Sequence, residues 1–594
     1  MLPMAARAQY FEVDGIVYKK TTDQTAMVVT KAALHNSNYS GVIVVPETVE
    51  HEGSVLTVTA LGEEAFGYCT NITSITLPAS IRSFGTYCFY NCNVTSLRMP
   101  DSLRSIGDHA FLYCDVDTIC LPAHFESYGN CSFWARNLKH IAVEEGNPRY
   151  RSIGGWLYSK DSTTLYVVPD GVEGRIEVPS FVRSIARMGI GFDNQITHVT
   201  LNEGLTCIGD FAFNCSTNID SIVIPSTVVK MGFNPFSYCL GLNHISIAPS
   251  NTHYTMDGLM IYSAGYDTLF SCHKSDAQVS LHSNLRVLGG FECNEDVQNI
   301  EIPSSVTHIT ENCFSNCVFS SIVLPEHMHT IGVDAFSYNP NLSQVTMPQT
   351  LQVMGEGAFQ NCPELTSIVI PDSLRIVPNE AFNSDLSLKN ITWGNMVEEI
   401  GMAAFWSIAP TEVRVPATVK RVRDFAFADY LYKMKRIIFE GELDTIGSYV
   451  FMNARLNSIQ FKQSMPPATD NEGPLEGIYR VNKIIIPCGA LDNYLADSYW
   501  SQFADKYEED CTAIESAQES EIEVYPNPAT SHITIGHIDG VEQIEMVNTL
   551  GQKVLSQSVK GENMTVDVKH LGRGTYLLRL KTADGLETKK IVLR

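Results

Sequence analysis

The chain has 594 residues, 44% of them apolar, and a net charge of −25. That is enough apolar content for a folded protein. The acid excess excludes a general nucleic-acid binder or a protein held to anionic membranes, since both need basic surface. No stretch approaches the run of about 18 apolar residues that a membrane-spanning helix needs.

Residues 1–9, MLPMAARAQ, leave no room for a hydrophobic signal core, yet ARAQ has the small-x-small form of a signal-peptide cleavage site. The segment reads as a signal-peptide remnant whose native start lies upstream, which implies export; a plain cytosolic start is the competing reading. Three related segments, near 10–30, 147–169 and 251–274, then punctuate the chain. In each, a tyrosine (10, 150, 254) is followed eight residues later by another (Tyr18, Tyr158, Tyr262), with a Gly-containing turn pair between. That pattern predicts β-hairpins protruding from an edge.

Between and after these segments, thirteen phenylalanines recur, mostly at intervals of 22 to 24 residues: Phe66, Phe89, Phe111, Phe133, Phe213, Phe236, Phe314, Phe336, Phe359, Phe382, Phe405, Phe427 and Phe451. Each closes the phrase apolar-x-apolar-Pro, a short spacer, apolar-Gly-x-x-small-Phe. A fixed period near 23 predicts a solenoid, because one such unit cannot bury its apolar face alone. In 72–92 (ITSITLPASIRSFGTYCFYNC), Ile75 and Leu77 alternate with Ser74 and Thr76, so one short strand is expected, ended by Pro78. Gly85 is expected at positive φ, and TYCF as one helical turn that drops Phe89 into the core.

The phrase, the period and the hairpin inserts resemble the BspA-like (Treponema pallidum-type) leucine-rich-repeat family over about residues 10–510. The implied fold is mainly β: a leucine-rich-repeat solenoid of ~23-residue rungs with inserted hairpins and a C-terminal cap over 482–510. In the cap, a last strand through Ile484 and Ile486 precedes a helix carrying Tyr494, Trp500 and Phe503. Residues 511–521 read as a polar linker. From 522 to 594 the repeat gives way to alternating segments with turns at Asn527-Pro528, Leu550-Gly551 and Asp584-Gly585, which predict a small antiparallel β-sandwich. This region resembles the type A C-terminal sorting domain of the type IX secretion system. The resemblance rests on Tyr525, Pro526, Asn527 and Pro528 in YPNPAT, Gly551 in NTLGQKV, Gly574 and Tyr576 in GTYLLRL, and Lys589 and Lys590 in the terminal KKIVLR. It implies a Bacteroidetes-type bacterium, contact with the type IX machinery after periplasmic transit, and an end point outside the cell or anchored on its outer membrane.

No catalytic constellation emerges. The sixteen histidines are scattered, and nucleophile-elbow, zincin, phosphate-loop and dinucleotide motifs are absent from the sequence. The sixteen cysteines show no C-x-x-C pair. Cys69, Cys92, Cys114, Cys239, Cys317 and Cys362 share the slot three residues after the repeat phenylalanine and read as buried thiols rather than a disulfide framework or a metal site. DNEGP (470–474) and VEEGNP (143–148) are weak calcium candidates against an ordinary loop reading. No cofactor, metal or enzymatic activity is expected. The candidate binding face is the outward row of the strands: Ser74, Thr76, Ser96, Arg98, Thr118, Cys120, Ser221, Val223, Ser321, Thr346, Ser367, Thr392, Arg414 and Ile438, with Tyr158 and Tyr262 from the hairpins. Its small polar character suits a broad protein contact, or simply supports the ladder through cross-strand pairs. It lacks the stacked rings of a sugar cleft. The expected function is that of a non-enzymatic adhesin for host matrix proteins or other bacteria; the alternative is a glycan- or nutrient-capture module of an outer-membrane uptake system.

Overall fold

Rungs bond to one another in three columns, which differ in how far they run unbroken. The first is the expected strand: Asn71–Thr76 pairs in parallel with Ser40–Val44. The second is a two-residue strand just before the repeat glycine, where Ser83–Phe84 lies between Ala60-Leu61 and Ser105–Ile106. The third is the turn that carries the phenylalanine. There the amides of Tyr87, Phe89 and Asn91 donate to the carbonyls of Asp108, Ala110 and Leu112 at 2.8–2.9 Å.

These columns belong to a computed structural model that describes residues 10–594 apart from 23, 32–37, 193–194, 274–277, 292–296, 298, 471, 512–521, 539–540, 549–551, 560, 562 and 583–584. The expected signal-peptide remnant, Gly551 and Asp584 fall outside the described residues. The chain divides into two compact units, Met1–Ile484 with Asp497–Lys506, and Ile485–Ala496 with Tyr507–Arg594.

Three expectations about the rung need correction. The turn is not helical: Tyr87 and Asn91 are left-handed, with φ of 54° and 50°. Such residues cost about 1–2 kcal/mol each, and the backbone bonds that the turn makes to the next rung act against that cost. Gly85 does not sit at positive φ. A Cβ there would lie 2.5 Å from the Gly62 carbonyl carbon, so the glycine is required by close stacking of one backbone on the next. Gly355 is tighter still, with its Cβ position 2.2 Å from the Val333 amide nitrogen. Finally, the two-residue column is the more continuous one. Thr268–Cys272, Val287–Leu288, His308–Ile309, Thr330–Ile331 and Val353–Met354 follow one another unbroken, whereas the longer strands join mostly in pairs such as Ser321–Val323 with Gln344–Thr346.

The phenylalanines form the core column. Phe336, Phe359 and Phe382 are fully buried and stack at 5.1 and 5.8 Å with nearly parallel rings. The shared-slot cysteines are buried beside them, and Cys92 and Cys362 donate their thiols to the carbonyls of Cys69 and Phe336.

The hairpins do not protrude. Each is a three-stranded antiparallel meander whose third strand starts a new two-residue column. Thr25–Val28 pairs with Ser54–Leu61, Thr164-Leu165 with Ser184–Ile185, and Thr268-Leu269 with Val287–Leu288, all in parallel. Because the meander continues the stack, its second tyrosine points inward: Tyr18, Tyr158 and Tyr262 are 0%, 1% and 1% exposed. Asparagines lock the second and third meanders in place. Asn147 donates to the carbonyls of Pro122 and Phe125 and accepts the amides of Arg149 and Tyr150. Asn251 repeats this pattern with Pro225, Val228, His253 and Tyr254.

At the far end of the first unit, Trp500 is fully buried, packs on Phe461 and donates its indole N–H to the Pro467 carbonyl at 3.0 Å. The expected single helix is two short pieces, Leu491–Ala496 and the 3-10 turns Trp500–Lys506. The second unit contains buried Tyr494 and a disulfide, Cys488–Cys511. The sequence, in which no disulfide framework is evident, does not reveal this bond. The remainder of the unit is the expected antiparallel sandwich. One sheet holds Glu523–Tyr525, His532–Gly536 and Asn563–Asp567; the other holds Val541–Val547, Lys553–Ser558, Gly574–Thr582 and Gly585–Leu593. Between them lie Ile533, Ile535, Ile544, Met546, Leu578, Leu580 and Ile591.

Candidate functional site

The outward residues of the longer strands form rows set by parallel register. Ser321 lies beside Gln344 and Val323 beside Thr346; Ser367 lies beside Asn390 and Val369 beside Thr392. Ser74, Thr76, Ser96, Arg98, Ser321, Thr346, Ser367, Thr392 and Arg414 are exposed, and Ser221 is half-buried. Valines stand among them: Val42, Val44, Val223, Val323 and Val369 are 48–69% exposed. Arg414 is committed to Glu412 and Glu440 at 2.8 Å each. A hollow of about 1,090 Å³ opens on this face where Asn299, Glu301, Ser321 and Val323 meet.

Three expected members do not belong to the face. Tyr158 and Tyr262 are core residues, for the reason given above, and Ile438 is 1% exposed.

The opposite lesson comes from the turn edge, where aromatic rings gather that strand alternation does not reveal. Trp406 stacks on Phe425 and Tyr430, and Phe425 on Tyr449. Arg455 lies between the rings of Tyr432 and Tyr479, 4.2 and 4.0 Å from their centroids, a placement stabilised by cation–π attraction. Near the N-terminal end, Tyr68, Tyr87, Tyr90, His109 and Tyr113 make a second cluster. Tyr68, Tyr87, His109, Tyr113, Phe425, Tyr432 and Tyr449 of these clusters stand at left-handed positions of the turn. Reading the turn as helical hid that these rings gather along one edge.

Among the described residues, no group of three His, Cys, Asp or Glu side chains gathers as a metal site. In the VEEGNP loop the Asn147 side chain is consumed by backbone bonds and Glu144 accepts the Ala123 amide. Of DNEGP, Asn471 is outside the described residues. Burial pushes the Cys69 and Cys114 thiols up to about 11, which keeps them protonated and unreactive. Among the described residues, no helix is long and apolar enough to cross a membrane.

In the sandwich, the YPNP motif clamps the last strand. Asn527 donates to the Lys590 carbonyl at 2.7 Å and accepts the Val592 amide at 2.8 Å, and Ala529 bonds to the backbone of Val592 and Arg594. Tyr576 donates to the Gly572 carbonyl at 2.8 Å. Tyr525 and Lys590 are exposed and Lys589 is half-buried.

Comparison with known proteins agrees with this anatomy. Residues 59–174, 174–263, 266–385 and 352–471 match the BspA-type leucine-rich-repeat region, and residues 523–594 match the secretion-system C-terminal sorting domain. Similar solved structures include a leucine-rich-repeat protein from Bacteroides ovatus, at 19% identity, covering 84% of this chain and 99% of that one with a TM-score of 0.30. A leucine-rich cell-surface protein from Faecalibacterium prausnitzii is 20% identical, with 71% and 91% covered and a TM-score of 0.30. The pneumococcal vaccine antigen PcpA is 17% identical, with 70% and 93% covered and a TM-score of 0.29. No curated protein matches the sequence.

Proposed function

The chain belongs to the BspA-type leucine-rich-repeat family, and from that premise we propose that it is a non-enzymatic adhesin, exported by the type IX system, that holds host matrix proteins or proteins of other bacteria against its strand face. The sorting domain supports a secreted or cell-surface location. The observation that carries the binding role is the set of exposed valines among serines and threonines, with Val323 in register with Thr346 and Val369 with Thr392 on the next rung. Between its charged positions Arg98, Glu301 and Arg414, such a surface offers a partner apolar contact. Its repetition lets modest contacts add through multivalency.

Full-length protein should bind an immobilised matrix protein or a bacterial surface. Val323→Glu with Val369→Glu should weaken that binding about tenfold or more, since charges placed in an interface core are costly, with no change in melting temperature. Binding only to glycans, or equal binding by the variant, would sink the reading. Deletion of residues 522–594 should leave the protein in the periplasm in fractionated cells; unchanged delivery outside the cell would remove the sorting role.

A second reading, capture of glycans, is favoured by the turn-edge rings of Trp406, Tyr430, Tyr432 and Tyr479, because sugar faces stack on exposed aromatics. A glycan array probed with the full chain separates the two.

A further inference from the structure

Two meanders join the phenylalanine ladder in the same way, yet only one join is filled. At the join before the third meander, Gly232 donates to the Ile208 carbonyl and Phe233 to an Asp210 carboxylate oxygen. At the join before the second, Gly129 and Asn130 make the same bonds to Ile106 and Asp108. Phe233 therefore corresponds to Asn130. By the same register Phe270 corresponds to Tyr166, Tyr254 to Tyr150, Met231 to Tyr128 and Gly289 to Ala186.

Phe233 stacks on Phe270 at 5.4 Å and 18° and fills its join. It needs Gly289 to do so, because a Cβ there would lie 2.7 Å from the Phe233 ring. At the earlier join the ring is replaced by Asn130 and the glycine by Ala186, and a cavity of about 290 Å³ is left between Tyr128, Asn130, Trp134, Tyr150, Tyr166 and Ala186. The ring pair that flanks it is kept: Tyr150 meets Tyr166 edge-on at 5.7 Å, as Tyr254 meets Phe270 at 5.4 Å. The walls are fixed by packing, with Trp134 stacked on Phe192 at 4.5 Å and the Cys131 sulfur 3.3 Å from that of Met188.

Where the ring is lost, hydroxyls are gained. Met231 and Phe270 line the filled join, whereas Tyr128 and Tyr166 line the open one. Among the described residues neither of these two hydroxyls nor the Asn130 side chain makes a hydrogen bond. We propose that this cavity binds one pyranose ring of an uncharged glycan. The sugar face stacks on the side of Tyr166 that corresponds to the covered side of Phe270. Its hydroxyls pair with Tyr128, Tyr166 and Asn130. The internal duplicate holds a six-membered ring at the corresponding position, admitted there by Gly289. The added hydroxyls discriminate against an aromatic side chain of a partner protein, which would leave them unpaired. The site is separate from the strand face, so its failure leaves the adhesin reading intact.

The test is titration of the full-length protein with methyl glycosides of glucose, galactose, mannose and N-acetylglucosamine, read by saturation-transfer NMR and tryptophan fluorescence. At least one should bind saturably. Asn130→Phe with Ala186→Gly rebuilds the packing of the filled join, and should abolish binding while keeping or raising the melting temperature. If that variant does not fold, Tyr128→Phe with Tyr166→Phe removes only the two hydroxyls and should weaken binding about tenfold, on the scale of two lost hydrogen bonds. No binding by any glycoside, equal binding by whichever variant folds, or tighter binding of N-acetyltyrosinamide would each overturn the proposal.

Discussion

Phe359→Ala should destabilise its part of the solenoid by about 3–5 kcal/mol, the range for a large aromatic lost from a packed core. The ring is fully buried and touches its neighbours on both sides, Phe336 at 5.1 Å and Phe382 at 5.8 Å. It cannot be replaced by local collapse, because the backbones above and below are held apart by the turn column: Phe359 donates to Ala381, and Phe336 to Ala358. In a stacked array each unit contacts mainly its neighbours, so the damage should be local. Hydrogen exchange is the appropriate measurement, since one global unfolding energy is poorly defined for a long repeat array joined to a second unit. Amides of residues 336–405 should lose protection by about two to four orders of magnitude, the equivalent of that energy, while those of 43–111 stay protected. A loss under about 1 kcal/mol, or uniform deprotection across the array, would show that the column is not its core.

The ladder was legible in sequence because a buried ring recurring every 22 to 24 residues leaves little choice. What the ladder concealed was the geometry of the turn around it. Left-handed residues are not tied to glycine here: Tyr87, His109, Phe425 and Tyr449 all adopt positive φ. A reading based on glycine and helix propensity therefore placed the strain at Gly85 and missed the turn-edge rings. The hairpin tyrosines misled for a related reason. Tyr158 and Tyr262 look like surface features only if the hairpin leaves the stack, and its third strand keeps it in. The polar strand face, by contrast, follows from simple alternation, and apart from half-buried Ser221 its Ser, Thr and Arg candidates are exposed. The sugar-sized cavity could be inferred only by aligning the two joins, where Gly129-Asn130 stands against Gly232-Phe233.

Asp385→Asn should stabilise the protein at neutral pH, by an amount that grows as pH rises. Asp385 is fully buried in the slot that holds Asn339 two rungs earlier. Asn339 is fully used: Oδ1 accepts the Cys317 amide at 2.7 Å, and Nδ2 donates to the carbonyls of Phe314 and Phe336 at 2.9 and 2.8 Å. Asp385 keeps only the first of these, with Oδ1 accepting the Cys362 amide at 2.7 Å and Oδ2 unpartnered. Burial drives its carboxyl well above the usual range, so the neutral acid, which has a proton to donate as Asn339 does, is the form the fold prefers. The folded state thus holds a proton that the unfolded chain releases near pH 4. Its contribution to stability is complete below that pH and is lost as pH rises toward the folded pKa, at up to about 1.4 kcal/mol per pH unit. Asparagine supplies the donor at every pH. The variant and the parent should therefore melt nearly together around pH 4. The variant should melt higher by pH 7–8, with a gain of at least the ~1–3 kcal/mol expected for one buried polar group given its partner. Equal melting temperatures across that range would mean that the carboxylate finds a partner when it ionises; a gain that shrinks with pH would reverse the assignment of the buried form.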